Sequence, residues 1–229
     1  MSGRLVGRTF PVVFAAPSGA GKTSIAQALR ARRDDVTFSI SATTRAPRDY
    51  ERDGVDYFFH TEPEFQQMIV DGALLEWAQV HGHFYGTPRR NLDDALERGH
   101  FLILDIDVQG SRQVRRRVPE AISIFVLPPS GRELAERLAG RGSETREVRA
   151  KRLRAAREEI KAVSEFDYVI VNEDVQVAVD VIEQILTSEL LRVRRIPGID
   201  ELVARLCSGV DEYLLGGASA TDPFLTDKE

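Results

Sequence analysis

The chain contains the segment Ala16-Pro17-Ser18-Gly19-Ala20-Gly21-Lys22-Thr23, here called the phosphate loop, between the apolar run Phe10–Ala16 and the helical pattern Gly21–Arg33. Small residues allow consecutive backbone N–H groups to turn towards one phosphate, and the start of a helix adds further donors. Lys22 suits the bridging of two phosphates, and the Thr23 hydroxyl suits ligation of Mg²⁺. The usual pattern begins with glycine, whereas this one begins with alanine. The segment predicts a nucleotide-phosphate site and does not indicate the reaction.

Strand and helix patterns alternate along most of the remaining chain, which predicts an α/β fold with a mainly parallel sheet covered by helices. Continuous apolar runs are typical of strands that are buried on both faces. The expected strands are Phe10–Ala16, Val36–Ser41, Phe101–Ile106, Ile122–Leu127 and Tyr168–Val171. The expected helices are Gly21–Arg33, Val108–Val118, Gly131–Ala139, Glu144–Val163 and Asp174–Arg194.

One region, Thr43–Thr87, breaks this alternation. A polar opening precedes short strand patterns and one helix, Glu62–Val70, in which Pro63 suits the first turn and Gly72 the C-terminal stop. The expected strands are Val55–Phe59, Leu74–Val80 and His83–Gly86. We therefore expect a small mixed subdomain inserted into the parallel core.

Composition and charge restrict the class of protein. The 229 residues are 42% hydrophobic, enough for one substantial core, and no apolar stretch approaches the length of a membrane span. The single cysteine, Cys207, excludes an intrachain disulfide, and no signal-peptide pattern follows Met1. We therefore expect a cytoplasmic protein without membrane contacts. The net charge of −5 comes from residues 199–229, and the neutral remainder gives no support for nucleic-acid binding.

Two aspartates follow the buried run Phe101–Leu104. Asp105 and Asp107 lie where a carboxylate just beyond a buried strand can hold Mg²⁺ directly or through water. Aspartate is also a common turn residue at the end of a strand, so this pattern alone is weak. Together with the phosphate loop it favours a metal or substrate role for one of the two.

Six further segments occur in order and with natural spacing. They are Phe38–Arg48, Asp53–Phe59, Leu75–Ala78, Gly82–Thr87, Leu104–Gly110 and Arg137–Gly142. Together they resemble the motifs of the guanylate kinase family over residues 9–194. The resemblance implies a P-loop NTPase fold with a core at 9–42 and 98–194, a mixed α/β GMP-binding insertion at about 43–97 and a short arginine-bearing lid at about 130–152. Residues 195–229 would form a C-terminal extension that is partly disordered.

The resemblance also implies an activity, with Mg²⁺ as the cofactor. The γ-phosphoryl group of ATP would pass to GMP, and also to dGMP, in purine nucleotide salvage and GTP supply. The implied ATP-binding residues are Ala16, Pro17, Ser18, Gly19, Ala20, Gly21, Lys22, Thr23 and Asn172. The implied catalytic residues are Lys22, Arg137, Arg141 and Arg152, and the implied metal ligands are Thr23 and Asp105.

For the acceptor, the resemblance implies that Arg45, Arg48, Tyr57 and Tyr85 hold the GMP phosphate. The residues implied for guanine are Ser41, Glu76 and Thr87, with Asp107 adding a contact to the guanine edge or the ribose. Glu76 can accept hydrogen bonds from guanine N1–H and the exocyclic amine, two donors that adenine lacks. Structural roles are the alternatives: Tyr57 can be a core aromatic residue, and the basic stretch 131–161 can be a solvated helix face.

Three other functional classes are weighed against this one. A kinase of a phosphorylated sugar would share the phosphate loop, but it would not need the guanine-reading set. A non-catalytic interaction module related to guanylate kinases would lack a competent phosphate loop. A P-loop GTPase would carry an Asn-Lys-x-Asp motif, which this sequence does not have. The oligomeric state and the role of the acidic extension stay open; the extension can be a docking helix, a contact in a homo-oligomer or a disordered end.

Overall fold

The computed structural model describes residues 7–80, 82–139 and 146–216. The strands are β1 (Pro11–Ala15), β2 (Val36–Phe38), β3 (Ala42–Thr43), β4 (Phe58–Phe59), β5 (Leu74–Val80), β6 (His83–Pro88), β7 (Phe101–Asp105), β8 (Ile122–Leu127) and β9 (Tyr168–Val171). The α-helices are α1 (Lys22–Arg32), α2 (Glu62–Val70), α3 (Arg89–Glu97), α4 (Val108–Arg117), α5 (Gly131–Ala139), α6 (Arg146–Ile160), α7 (Val175–Glu189) and α8 (Ile199–Gly216). Two 3₁₀ helices cover Lys161–Glu165 and Val193–Arg195. The described chain forms two compact units, residues 9–187 and residues 7–8 with 188–216.

Five strands form a parallel sheet in the order β2-β7-β1-β8-β9. The central strands β1, β7 and β8 are continuous runs of buried apolar residues, as expected of a parallel sheet covered on both faces. The predicted α/β fold with a mainly parallel sheet is therefore confirmed. Because neighbouring strands run in the same direction, the loops after β1 and β7 meet at one edge of the sheet, where ligands bind in folds of this type.

The second predicted strand, Val36–Ser41, is wrong at its C-terminal end. β2 stops at Phe38, and the chain then crosses to β3, which belongs to a different sheet. The Asn91 side chain donates hydrogen bonds to the Ser39 hydroxyl at 2.8 Å and to the Ile40 carbonyl at 2.7 Å. The bond to Ile40 satisfies a backbone carbonyl of the crossing segment, and the bond to Ser39 holds the same segment through its side chain.

The inserted region forms a second sheet of four short strands in the order β4-β3-β6-β5. β3 and β4 are parallel and the other pairs are antiparallel, so the predicted mixed subdomain is confirmed. Helix α2 packs Phe65 against Ala42 and Leu74. Its start is fixed by a capping box, in which the Thr61 hydroxyl accepts the Glu64 N–H and the Glu64 carboxylate accepts the Thr61 N–H.

The sequence interpretation misses α3, which follows β6 without a loop. Only Leu92 and Ala95 of this helix are buried, and although its apolar residues have helical spacing, the helix is only nine residues long and mostly polar. The two side chains pack in one cluster with Leu102 and Leu104 of β7. The helix therefore returns the chain from the inserted subdomain to the parallel sheet.

The unit that contains residues 188–216 is held by a buried ion pair. The Glu189 carboxylate contacts Arg195 at 3.0 Å and Arg192 at 3.0 Å, and the Arg8 N–H donates to the Arg195 carbonyl at 2.8 Å.

Helix α7 ends at Glu189, earlier than the predicted Arg194. The extension includes helix α8, while its last residues, 217–229, lie outside the described residues. Across the described ranges, no helix has both the length and the apolar character that crossing a membrane requires.

Candidate active site

The phosphate loop connects β1 to α1, as the sequence predicts. Gly19 and Gly21 both have φ of 92°, a left-handed conformation that other residues rarely adopt. Space is restricted as well: a Cβ on Gly19 would lie 3.1 Å from the Leu138 side chain, and one on Gly21 would collide with the Asn172 amide. Since Gly21 is also the N-cap of α1, the first-turn N–H groups of that helix lie beside the loop. Loop and helix start together have the form of a phosphate-binding cradle.

Lys22 and Asp105 form an ion pair across the ends of two neighbouring strands. Lys22 begins α1 directly after the phosphate loop, and Asp105 is the last residue of β7, which pairs with β1. The Lys22 ammonium group also lies 3.5 Å from the Ile106 carbonyl oxygen. Thr23 is exposed in the same helical turn. The structure therefore brings the predicted lysine, hydroxyl and carboxylate to the same edge of the parallel sheet.

Two side chains hold the carbonyl oxygen of Ala20 within the phosphate loop. The buried Asn172 amide donates to it at 2.8 Å, and the Arg137 guanidinium donates at 3.4 Å. Arg137 also donates to the Asn172 carbonyl at 3.4 Å and pairs with Glu133 at 3.0 Å. Asn172 thus supports the loop itself, and its predicted approach to adenine stays a prediction.

The other two arginines that the resemblance assigns to a lid differ in what the structure describes. Arg152, on α6, donates a 3.0 Å hydrogen bond to the Ser18 hydroxyl of the phosphate loop. Arg141 lies outside the described residues. Arg137 and Arg152 therefore reach the phosphate loop from two different helices, α5 and α6.

Arg45 and Arg48 share one carboxylate, that of Glu51. The Arg45 guanidinium donates to it at 2.8 Å, and the backbone N–H of Arg48 donates at 2.9 Å. The Glu51 side chain is only 6% exposed, and the Arg45 guanidinium holds the pKa of this carboxyl below its usual range. The same contact raises the pKa of Arg45. Glu51 therefore keeps a charged arginine fixed in place.

Tyr57 and Tyr85 pack edge to face, with ring centroids 6.2 Å apart. The Arg45 guanidinium carbon lies 5.3 Å from the Tyr57 ring centroid and 5.9 Å from that of Phe59. The structure thus brings Arg45 and the two tyrosines together, whereas the Arg48 guanidinium is largely exposed, donates to the Tyr50 hydroxyl at 3.0 Å and lies 3.8 Å from Glu51. Cations and phenols at this spacing can bind a phosphate dianion.

Glu76 and Thr87 form a buried hydrogen bond, with the Thr87 hydroxyl donating to Glu76 Oε1 at 2.7 Å. A register shift between Leu74 and Glu76 places Glu76 directly opposite Thr87 on β6. Because directly opposed residues of antiparallel strands point to the same face, their side chains meet. Burial raises the pKa of Glu76 to about 6; the Thr87 hydrogen bond opposes the rise and the charge of Asp107 adds to it.

The remaining predicted guanine residues lie around this pair. In the pairing of β3 with β6, the register leads from Ser41 towards Thr87. Asp107 is the N-cap of α4, where its carboxylate accepts the Gly110 N–H at 2.8 Å. A Cβ on Gly110 would lie 2.9 Å from Glu76 Oε2, so α4 begins against the Glu76 carboxylate. Asp107 therefore caps α4, a structural role beyond the turn-forming one that the sequence interpretation considers.

Comparisons with known proteins agree with this arrangement. A family profile described as guanylate kinase matches residues 8–189, more than half of the chain. The chain belongs to the guanylate kinase family. Among relatives named guanylate kinase, that of Desulfitobacterium hafniense is 46% identical over 186 residues, covering 81% of this chain and 93% of that protein. That of Bordetella pertussis is 50% identical over 186 residues, covering 81% and 86%.

A solved member of the guanylate kinase family has the same fold. The crystal structure of guanylate kinase from Anaplasma phagocytophilum is 34% identical to this chain, and the match covers 87% of this chain and 96% of that one. Its TM-score is 0.69. The family resemblance and the P-loop NTPase fold that it implied are therefore both confirmed.

The sequence interpretation misses two carboxylates of this guanylate kinase-family site. Glu51 could have been found from the sequence, because it is close along the chain to Arg45 and Arg48. Its N–H donates to the Arg48 carbonyl at 3.0 Å, and this turn places the acid beside the two arginines. Glu159 has no such sequence signal, because its partner is 141 positions away along the chain. Its carboxylate accepts a hydrogen bond from the Ser18 N–H at 3.3 Å. Burial raises the pKa of Glu159, which lies within electrostatic range of Lys22.

Proposed function

We propose that the protein transfers the γ-phosphoryl group of ATP to GMP, giving ADP and GDP. The observation that carries this proposal is the buried Glu76–Thr87 pair beside a cluster of arginines and tyrosines. Tyr85 and Thr87 lie two positions apart on β6 and therefore share one face of the sheet. A base-reading group and a phosphate-binding group thus lie side by side, as a nucleoside monophosphate requires. Membership of the guanylate kinase family supports the same activity.

Glu76 would accept hydrogen bonds from guanine N1–H and from the exocyclic amine. Adenine has no N1 proton and no amine at that position, so AMP would leave a desolvated carboxylate unpaired. Sites that use hydrogen bonds in this way reject the wrong ligand by roughly 10⁴–10⁵. Ser41 and Thr87 would donate to guanine O6, for which the Thr87 hydroxyl must turn from Glu76. Asp107 would add a contact to the guanine edge or to the ribose.

Arg45, Arg48, Tyr57 and Tyr85 would hold the GMP phosphate. The guanidinium of Arg45 is already packed on the Tyr57 ring, so little rotamer entropy would be lost when phosphate binds. Glu51 neutralises part of the cationic charge and keeps the Arg45 guanidinium in place before the substrate arrives, and it also fixes the backbone of Arg48.

The ATP phosphates would bind the phosphate loop, Ala16–Thr23, with Arg137, Arg141 and Arg152 closing over them. The donor set suits Mg²⁺, because Thr23 offers a hydroxyl oxygen and Asp105 a half-exposed carboxylate, both hard oxygen ligands at the same sheet edge. When bound, this ion would neutralise charge on the phosphates. Asn172, which directly follows β9, would approach adenine.

Catalysis would rest on alignment and charge stabilisation. The attacking oxygen belongs to an anionic phosphate, so no general base is needed. Lys22 would turn its ammonium group from Asp105 to the transferred phosphoryl group, and the lid arginines would stabilise charge that develops there. Closure of the lid and of the GMP-binding insertion would exclude water and limit hydrolysis of ATP.

The proposal assigns these roles to regions of the chain. Residues 9–194 would form the catalytic domain, with ATP on the core (9–42 and 98–194), GMP on the insertion at about 43–97 and the lid at about 130–152. Residues 195–229 would form a separate extension. We also propose dGMP as a second acceptor.

A coupled assay of ADP release tests the proposal, with ATP as donor and GMP, dGMP, AMP, CMP or UMP as acceptor. We expect turnover with GMP and dGMP, and a kcat/KM for AMP that is lower than that for GMP by roughly 10⁴ or more. Comparable use of AMP, CMP or UMP would contradict the role of Glu76. Absence of turnover with every nucleoside monophosphate, or turnover of a phosphorylated sugar instead, would contradict the proposed activity.

A further inference from the structure

Helix α6 holds one residue of the phosphate loop at two atoms. The Ser18 N–H donates to the Glu159 carboxylate at 3.3 Å, and the Ser18 hydroxyl accepts the Arg152 guanidinium at 3.0 Å. Arg152 and Glu159 are seven positions apart, two turns of helix, and therefore lie on the same face of α6. A single helix face thus fixes both the backbone and the side chain of Ser18.

The surrounding packing makes α5, α6 and the phosphate loop one connected body. Ala156 of α6 packs in one cluster with Leu134 and Leu138 of α5. The same two leucines lie against Gly19, where a Cβ would approach them to 3.1–3.2 Å. A displacement of α6 would therefore be transmitted to the loop residues next to Ser18.

Surface ion pairing does not explain the position of Glu159. It is half-buried, and no lysine or arginine in the described part of the chain forms an ion pair with it. Its carboxylate lies within electrostatic range of Lys22 and Asp107, at the catalytic end of the sheet. The neighbouring Glu158, in contrast, is exposed and pairs with Arg157 at 2.9 Å and with Lys161 at 2.7 Å.

We propose that Glu159 is a positioning residue for the phosphate loop. By fixing the Ser18 N–H it keeps the Ser18 hydroxyl on Arg152, and so aligns a lid arginine with the phosphates of ATP. Ser18 precedes a glycine at φ 92°, and such a flexible backbone needs an external contact to hold one conformation. Ordering the loop in advance lowers the entropy that ATP binding has to remove. The inference rests on the proposed use of ATP.

Four variants test this role: Glu159→Ala, Glu159→Gln, Ser18→Ala and, as a matched control, Glu158→Ala. Glutamine keeps an acceptor oxygen at the same length, and Glu158 is the adjacent acid of the same helix. The measurements are the Kd of ATP and of GMP by calorimetry, kcat and KM for both substrates, and the midpoint of thermal unfolding. The double variant Ser18→Ala/Glu159→Ala completes a cycle, which measures whether the two contacts act together.

We expect Glu159→Ala to weaken ATP binding about tenfold, the lower range for a hydrogen bond to a charged group. The Kd of GMP should stay within about twofold, Glu159→Gln should restore ATP binding to within about threefold, and Glu158→Ala should match the parent. In the Ser18→Ala background, the Glu159→Ala effect should shrink.

Three outcomes would overturn the proposal. An equal Kd of ATP for Glu159→Ala and Glu158→Ala would show that the Ser18 contact does not contribute to ATP binding. Equal losses for ATP and GMP would indicate a general structural role. Tighter ATP binding by Glu159→Gln would indicate that the carboxylate only repels phosphate. A parent protein that binds ATP but does not phosphorylate GMP would instead contradict the proposed function.

Discussion

Replacement of Glu76 by glutamine separates the binding role of this carboxylate from its effect on stability. Burial raises its pKa from 4.5 to about 6. The folded state therefore binds more protons than the unfolded state between these values, and stability falls as the pH rises through this window. Above this pH window, the charged carboxylate lowers the free energy of unfolding by about 2 kcal/mol. Glutamine removes that cost, while its amide accepts the Thr87 hydroxyl less strongly, so we expect a net gain of about 1 kcal/mol at pH 7.

Activity should change in the opposite direction. The Glu76 carboxylate can accept both guanine donors, whereas glutamine has one acceptor oxygen and can accept only one of them. Its NH₂ group would face the guanine amine, donor against donor. Loss of one hydrogen bond to a charged acceptor, weakening of the other and the contact between two donors together cost about 3 kcal/mol or more, which corresponds to a fall in kcat/KM for GMP of at least about 100-fold.

Two measurements on Glu76→Gln check this reasoning. Urea unfolding at pH 7 gives the change in stability, which should shrink at pH 5 where the parent carboxyl is largely protonated. The coupled assay gives kcat/KM for GMP. Glu97→Gln, at the exposed end of α3, is the control that loses an acidic charge without burial. A variant that is less stable than the parent at pH 7, or that keeps its kcat/KM for GMP, would refute the assignment.

Three shorter predictions concern other groups of the site. The KM for GMP should rise as the pH falls below about 6, because protonated Glu76 loses an acceptor; Glu76→Gln retains the titration of the GMP phosphate and serves as the reference, and identical pH profiles would contradict the prediction. Lys22→Met should abolish turnover while calorimetry still detects GMP binding; normal turnover would exclude the phosphate loop from the mechanism. Glu51→Gln should raise the KM for GMP about tenfold through a weaker hold on Arg45. Its KM for ATP should not change, and an equal rise for both substrates would show that Glu51 acts on the whole fold.

The parallel sheet could be predicted because its strands carry their own signal. Runs such as Phe101–Leu104 are apolar at every position, and that pattern has few structural explanations besides a strand buried on both faces. Helix α3 was missed although Leu92, Ala95 and Leu96 have helical spacing, because the segment is short, mostly polar and follows β6 without a loop. The end of β2 also escaped prediction, since the chain changes sheets within an unbroken β-type pattern, and Asn91 stabilises that crossing from 51 positions away.

The residues of the candidate site could likewise be predicted only in part. Local motifs lead to the phosphate loop and to the acceptor residues, because each motif keeps its residues close in sequence. The direct contact of Glu76 with Thr87 depends on a bulge in β5, and a register shifted by one residue would turn one side chain to the other face. Glu159 reaches Ser18 only through tertiary packing of α6, for which the sequence has no periodic or spacing signal.

The central claim is that one buried carboxylate selects guanine. It is tested most directly by the ratio of kcat/KM for GMP to that for AMP, measured with ATP in the parent and in Glu76→Gln. We predict a ratio of roughly 10⁴ or more in the parent, and a collapse by at least about 100-fold in the variant, caused by the loss of GMP turnover. An equal ratio in both proteins would contradict the claim and would mean that guanine is selected elsewhere.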